Sequence, residues 1–187
     1  QWHLFPTAAD QLQAAFPHHI LRHICNSAGI EHFPERHCDM VRLGLGLYGI
    51  DARTNEMLAC ISTLKTTILQ IHDVPANETV GYSRRGHLTR DSRIAALPIG
   101  YADGLNRHLG CGNAYCLVNG QHAPYVGNIC MDVCMIDVTD IDCQEGDTAV
   151  IFGPELPPTV LAEAIGTIPY EILTSVSPRV RRVYFVD

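Results

Sequence analysis

The chain has 187 residues, 47% of them hydrophobic, which suffices for one or two domains with a buried core. Its formal net charge of -7 argues against a nucleic-acid partner, because such a partner calls for a basic face. No apolar run reaches the ~18 residues of a membrane span and no signal peptide is visible, so no membrane partner and a cytoplasmic location are expected.

Residues 7–16, TAADQLQAAF, carry a start signal at Thr7 and apolar spacing suited to a short helix. HILRHIC (19–25) is β-rich and reads as a strand, and CDMVRLGLGLYG (38–49) begins as another before turning at its glycines. Strand, helix and strand joined by short links predict the end of an α/β barrel. A full barrel needs ~250 residues, so residues 1–55 are read as its last one or two units, an incomplete remnant. The opening residue is Gln1 rather than methionine, which predicts a longer parent.

From about Met57 the texture changes. Short strands are predicted at CISTLKTTILQI (60–71), RIAALPI (93–99), AYCLVNG (114–120), VCMIDV (133–138), TAVIF (148–152) and VRRVYFV (180–186). Turns rich in Gly, Asp, Asn and Pro separate them, and one helix is predicted over PTVLAEAIGTI (158–168). Residues 56–187 are therefore read as a mainly β domain, an antiparallel barrel or sandwich.

The chemistry-bearing residues narrow the choices. Lys65 is the only lysine, and it lies in a predicted strand. Eight cysteines form no CxxC pair and mostly fall in apolar runs, which favours reduced buried thiols over a disulfide or zinc framework. Cys130 and Cys134 are expected on one face of a strand. His19 and His23 have a metal-ligand spacing only if helical, and their β-branched company argues against that, so no metal site is expected. Arginine clusters at 84–85 and at 179, 181 and 182 are read as solvated or ion-paired surface.

Two regions point further. Tyr82, in ETVGYSRRGH, stands between Gly81 and Gly86, as in a loop whose backbone must approach something closely. A phenol ionises near ~10, so it serves as a base only beside a cation. Arg42 ends the predicted strand CDMVR, on the side where barrel active sites lie, and an always-charged guanidinium there suits an anion or a ring nitrogen. Gly44 and the amides after it, with Ser27 from CNSAGI, can cradle a phosphate. LPIGYADGLNR, APYVGNICMDVCMIDV and GTIPYEILTSVSPRVRRVYF set aromatic or polar residues between glycines or prolines, and spacing alone assigns them no reaction.

In order, HICNSAG, VRLGLGLYG, ETVGY, LPIGYADG, GNICMD, TIPYEI and RVRRVY resemble the C-terminal part of alanine racemase, an isomerase that interconverts L- and D-alanine. The resemblance covers most of the chain from about His23 to Tyr184. It implies an α/β barrel followed by a β domain, and a homodimer in which the second subunit's β domain closes each active site. It also implies pyridoxal 5'-phosphate as cofactor, alanine as substrate and D-alanine supply for peptidoglycan. By position, Tyr82 resembles the family's second catalytic base. Arg42 resembles the arginine on the pyridine nitrogen, and Ser27, Gly44, Leu45 and Tyr170 resemble the phosphate ligands. Met131 resembles the residue whose amide meets the substrate carboxylate, and Tyr101 the tyrosine of the substrate passage.

Three departures stand out. Asn128 replaces an arginine common in the family, and Ser83 replaces a glycine or alanine. The Schiff-base lysine belongs to the first barrel strand, so the resemblance does not place it on Lys65. The chain is thus expected to supply the tyrosine base and part of the phosphate site but to be inactive alone, its parent being free-standing or fused to a cell-wall ligase. The alternative is a non-catalytic β module for dimerisation or regulation.

Overall fold

The computed structural model describes residues 1–185, in two compact units, Gln1–Ala59 and a second from Cys60 onward. In the first, helix α1 (Phe5–Ala14) starts before Thr7, because Pro6 occupies its first turn. There the missing N–H costs nothing and the ring presets φ. Helix α2 (Ser27–His32) is capped by Asn26, whose side chain accepts the Gly29 N–H at 3.0 Å.

The strands expected at 19–25 and 38–42 carry no ladder, and the second of these runs opens on a turn at Cys38 and Asp39. The Asp39 N–H donates to the Arg22 carbonyl at 3.1 Å and the Arg42 N–H to the Cys25 carbonyl at 2.9 Å. Those bonds recur every three residues, which does not match the two-residue pleat of a strand pair. His19 and His23 lie outside any helix, so their spacing does not produce a helical pair.

The second unit is built on a seven-stranded antiparallel sheet: β1 (Leu64–Thr67), β2 (Gln70–Val74), β5 (Ser92–Leu97), β6 (Tyr115–Val118), β7 (Gln121–Val126), β8 (Cys134–Asp137) and β9 (Thr148–Phe152). Strands β3 (Thr79–Val80) and β4 (Gly86–His87) form a separate hairpin. The sheet order is β1-β9-β6-β7-β8-β5-β2, so β1 and β2 are its two edges. Only Ile68 and Leu69 separate them in sequence. Such a short link holds the two edges beside each other and rolls the sheet into a half-barrel. Ile68 donates to the Asp147 carbonyl and Leu69 to that of Ala96, each at 2.9 Å, one toward each edge. The single strand expected at 60–71 is therefore two.

Strand β7 was not legible, because Pro124 and polar Gln121 and His122 interrupt its pattern. Its first four residues pair with β6, and from Tyr125 onward it pairs with β8. Pro124 stands at that handover. The run 180–185 carries no ladder; the Arg182 guanidinium instead donates to the carbonyls of Val176, Ser177 and Val180. Val186, the end of that expected strand, lies outside the described residues. The helix expected over 158–168 ends at Ala164 (α3, Pro158–Ala164), because Gly166 takes a left-handed φ of 70°. A second helix, α4 (Pro169–Ser175), follows.

The core gathers residues of these strands, among them Ala95, Leu97, Val118, Ala123, Ile136 and Ile151. Its thiols are unreactive: burial pushes Cys116 up to about 12 and Cys134 upward as well. All eight cysteines are free, but Cys38 and Cys111 are exposed on turns with φ of 53° and 56° rather than in apolar runs. Cys130 lies in a loop, and only Cys134 joins β8.

Tyr125 is fully buried, and its hydroxyl has no hydrogen-bond partner among the described residues. A buried hydroxyl left unpaired costs about 1–3 kcal/mol. Tyr125→Phe is therefore expected to raise stability by about 1 kcal/mol, read as a higher urea midpoint at unchanged slope. A lower midpoint would mean the hydroxyl is satisfied.

Candidate functional site

In the first unit, the candidate residues converge on one oxygen. Ser27 opens α2 and is 2% exposed. Its Oγ accepts the Gly44 N–H at 2.8 Å and the Gly46 N–H at 3.4 Å. Gly44 precedes a tight 3-10 turn, Leu45–Tyr48, whose direction the backbone at Gly44 (φ -119°, ψ -98°) sets. Amides aimed at a single oxygen form an anion-binding concavity. Leu45, also predicted there, is buried in the same turn. Arg42 stands two residues before Gly44, exposed, and donates one of its five N–H bonds to the Ile24 carbonyl at 3.0 Å.

In the second unit, the β3–β4 hairpin carries Tyr82 on its turn, 74% exposed. The turn is strained: Ser83 and Arg84 have φ of 58° and 54°, a left-handed conformation unfavourable for residues with a side chain. Gly86 is needed for close approach, and Gly81 for its left-handed φ of 79°. A Cβ on Gly86 would stand 2.9 Å from the Val80 carbonyl oxygen and 3.1 Å from the Gly127 nitrogen. On Gly81 it would meet Met135 Cε at 2.9 Å. The Arg84 Nε–H donates to Thr79 Oγ1 at 3.1 Å, and Asn128 Nδ2 to the Tyr82 carbonyl at 3.0 Å.

Tyr101 and Met131 come from different motifs but form one loop pair. The Tyr101 N–H donates to the Cys130 carbonyl and the Ala102 N–H to that of Met131, each at 3.0 Å. A Cβ on Gly100 would lie 2.3 Å from the Cys130 oxygen, so only glycine allows this approach. Met131 and Tyr101 are 54% and 45% exposed. The Met131 N–H has no hydrogen-bond partner among the described residues.

Sequence reasoning missed the ion network beneath these loops. Asp103 is buried; its carboxylate accepts the Gly100 N–H at 2.9 Å and the Arg179 Nε–H at 2.6 Å. Arg179 also donates to Asp132 at 2.5 Å, and the Ser177 N–H to the Asp103 carbonyl at 3.0 Å. One arginine thus ties the loops of Tyr101 and Met131 to residues 177–179. Burial pushes the Asp103 carboxyl up, but the Arg179 and Gly100 hydrogen bonds and the Arg179 charge outweigh it and hold it below its ordinary value. Helix α4 joins the same cluster, since Ser175 Oγ donates to the Gly104 carbonyl at 3.1 Å. Tyr170 is the second residue of α4, exposed, its carbonyl accepting from Thr174 Oγ1 at 2.7 Å. Two acids in glycine-flanked loops, with arginines near the C-terminus, were the signal that sequence reading left unused. Among the described residues, no group of His, Cys, Asp or Glu is arranged for a metal ion.

A unit of short helices and turns followed by an antiparallel half-barrel whose polar loops are tied together defines a two-unit protein with a C-terminal β domain. The model of the alanine racemase C-terminal domain matches residues 61–184, and that of its N-terminal domain matches residues 1–52. The chain belongs to the alanine racemase family. It is 44% identical over 174 residues to alanine racemase 1 of Clostridium acetobutylicum, covering 88% of this chain and 45% of that protein. Alanine racemase from D-cycloserine-producing Streptomyces lavendulae superposes with a TM-score of 0.90 at 32% identity, over 98% of this chain and 50% of that one. The Bartonella henselae enzyme, with covalently bound pyridoxal phosphate, gives 0.83 at 34% identity over 96% and 50%. The chain therefore spans about half the length of the relatives it matches.

The network makes stability depend on pH. An Asp whose value folding lowers from 3.8 stabilises above about pH 4 and loses that contribution as pH falls through the lower folded value. The thermal midpoint is expected to stay level from neutral pH down to about 5 and to fall below about pH 4, with Asp103→Asn flattening that fall. An equally steep fall in the variant would assign the acid sensitivity elsewhere. Gly100→Ala is expected to cost about 1–3 kcal/mol, measured by urea denaturation; a neutral result would show that the Cys130–Met131 backbone gives way easily.

Proposed function

We propose that this chain is the C-terminal part of a pyridoxal-phosphate-dependent alanine racemase and supplies the tyrosine base of a two-base reaction. The observation that carries this reading is the loop cluster of the second unit. It presents the Tyr82 phenol, the Tyr101 ring and the Met131 amide from three motifs held together by hydrogen bonds. The cofactor fits the donor set of the first unit: amides converging on Ser27 Oγ suit a phosphate oxygen, and Arg42 suits a ring nitrogen. Ser27, Gly44 and Leu45 would hold the phosphate.

When bound, pyridoxal phosphate supplies an electron sink that acidifies the substrate's Cα–H. The chain's own residues then bind and move protons. The Met131 N–H donates to the alanine carboxylate, Tyr101 lines the path by which substrate arrives, and the Tyr82 phenolic oxygen takes the Cα proton on one face or returns it. The Arg42 guanidinium, which has donors and no acceptor, would donate to the ring nitrogen. Inversion needs a second base on the opposite face. Lys65 does not fit that task, being exposed on β1 across from Val150. We assign the cofactor lysine to residues outside these 187, and the chain alone to an inactive state. In the complete enzyme two copies share each active site, in the cytoplasm, making D-alanine for peptidoglycan.

The test is reconstitution: this chain with a complementary N-terminal barrel half, pyridoxal phosphate and alanine, followed by enantiomer-resolved assay. The mixture is expected to racemise alanine and the chain alone is not. Tyr82→Phe is expected to reduce turnover by about 10²- to 10⁴-fold, the range of acid–base catalysis. Cofactor-loaded, folded complexes without racemisation would favour a β module acting only in dimerisation or regulation.

A further inference from the structure

We infer that Asn128 is a positioning residue for the Tyr82 base: its side-chain amide clamps the strained turn that carries the phenol. This inference rests on the proposed role of Tyr82. Tyr82 has little packing of its own, with three quarters of its surface exposed, and the two residues after it are left-handed without being glycine. Such a turn persists only when its surroundings over-determine it. The hairpin beneath it is two residue pairs long, Thr79 with His87 and Val80 with Gly86, too short to fix the turn.

The Tyr82 carbonyl is held from outside the hairpin by one side chain, Asn128, at 3.0 Å. A carbonyl only accepts, so the amide nitrogen must face it. The opposite end of the Asn128 amide faces Cys111, whose thiol lies 3.8 Å from Oδ1, which agrees with that orientation. The backbone at Asn128 is fixed as well. Gly127 contacts the hairpin so closely that a Cβ there would stand 2.7 Å from the Val80 oxygen, and the Gly127 carbonyl accepts the Cys111 N–H at 2.7 Å. Asn128 thus joins a rigid base to a strained turn. It lies two residues before Cys130, whose carbonyl holds Tyr101. The segment 127–131 therefore sets the tyrosine base, the access tyrosine and the carboxylate-binding amide from one piece of backbone.

The experiment uses Asn128→Asp, which keeps the shape but replaces the donor with a repelling carboxylate, and Asn128→Ala as a second removal. In the full chain, trypsin cuts after Arg84 and Arg85 are followed by mass spectrometry, with the thermal midpoint as a control on folding. Cleavage there is expected to accelerate about tenfold in both variants, the factor given by losing one ordinary hydrogen bond. In the reconstituted racemase, kcat is expected to fall about 10- to 100-fold at nearly unchanged KM, as a displaced catalytic group produces. The isotope effect on α-deuterated alanine is expected to grow for one enantiomer only, that whose proton Tyr82 removes.

Unchanged cleavage overturns the clamp. Faster cleavage with unchanged kcat and isotope effect overturns its role in positioning. A fully active Tyr82→Phe enzyme refutes the tyrosine as base and takes the positioning role with it. The cleavage result still separates that failure from failure of the clamp.

Discussion

A carboxylate excluded from water is unfavourable unless hydrogen bonds and opposite charge surround it, and Asp103 has both. Its partners come from places far apart in sequence. The Gly100 N–H belongs to its own turn, while the Arg179 guanidinium arrives from the C-terminal segment and brings Asp132 with it. Removing one member leaves another charge unmatched, so the arrangement is held as a set. The loops bearing Tyr101 and Met131 inherit their positions from it, as does α4 through Ser175 and Gly104.

The rolled sheet explains why those loops are neighbours at all. Consecutive strands β1 and β2 occupy opposite edges of the seven-strand order, which obliges the sheet to curl. Partner exchange along β7 permits the curl by letting one strand serve two halves. Loops that would be distant on a flat sheet then meet. The glycines at 81, 86, 100 and 127 allow that meeting, each where a Cβ would collide with another segment's backbone or side chain.

Much of this was legible in the sequence. Alternating apolar residues marked β5, β6, β8 and β9, and the glycines around Tyr82 marked a close approach. The motifs from HICNSAG to RVRRVY carried the family. What stayed hidden was non-local. Pro124 argued against a strand that tolerates it only because the sheet changes partners there. The runs at 19–25, 38–42 and 180–185 have strand composition but no matching partner, and composition cannot report a partner. Arg179 was legible only as solvated or ion-paired surface, because nothing local indicates that its acids lie 76 and 47 residues away.

Ser83 and Asn128 are physically linked through the turn that carries Tyr82. Ser83 occupies a left-handed position where glycine is unstrained, so this chain's tyrosine turn carries a cost that a glycine would avoid. Asn128 contributes the hydrogen bond that holds the same turn. The strain at Ser83 and the tether from Asn128 therefore act on the same turn. In the proposed reaction the phenol must meet one face of a flat substrate while the lysine meets the other. Its placement therefore cannot be left to the hairpin, whose exposed tip has two paired positions of support. The tether from the sheet, anchored beside the residues that receive the substrate carboxylate, ties the base to the same reference frame as the bond it must break.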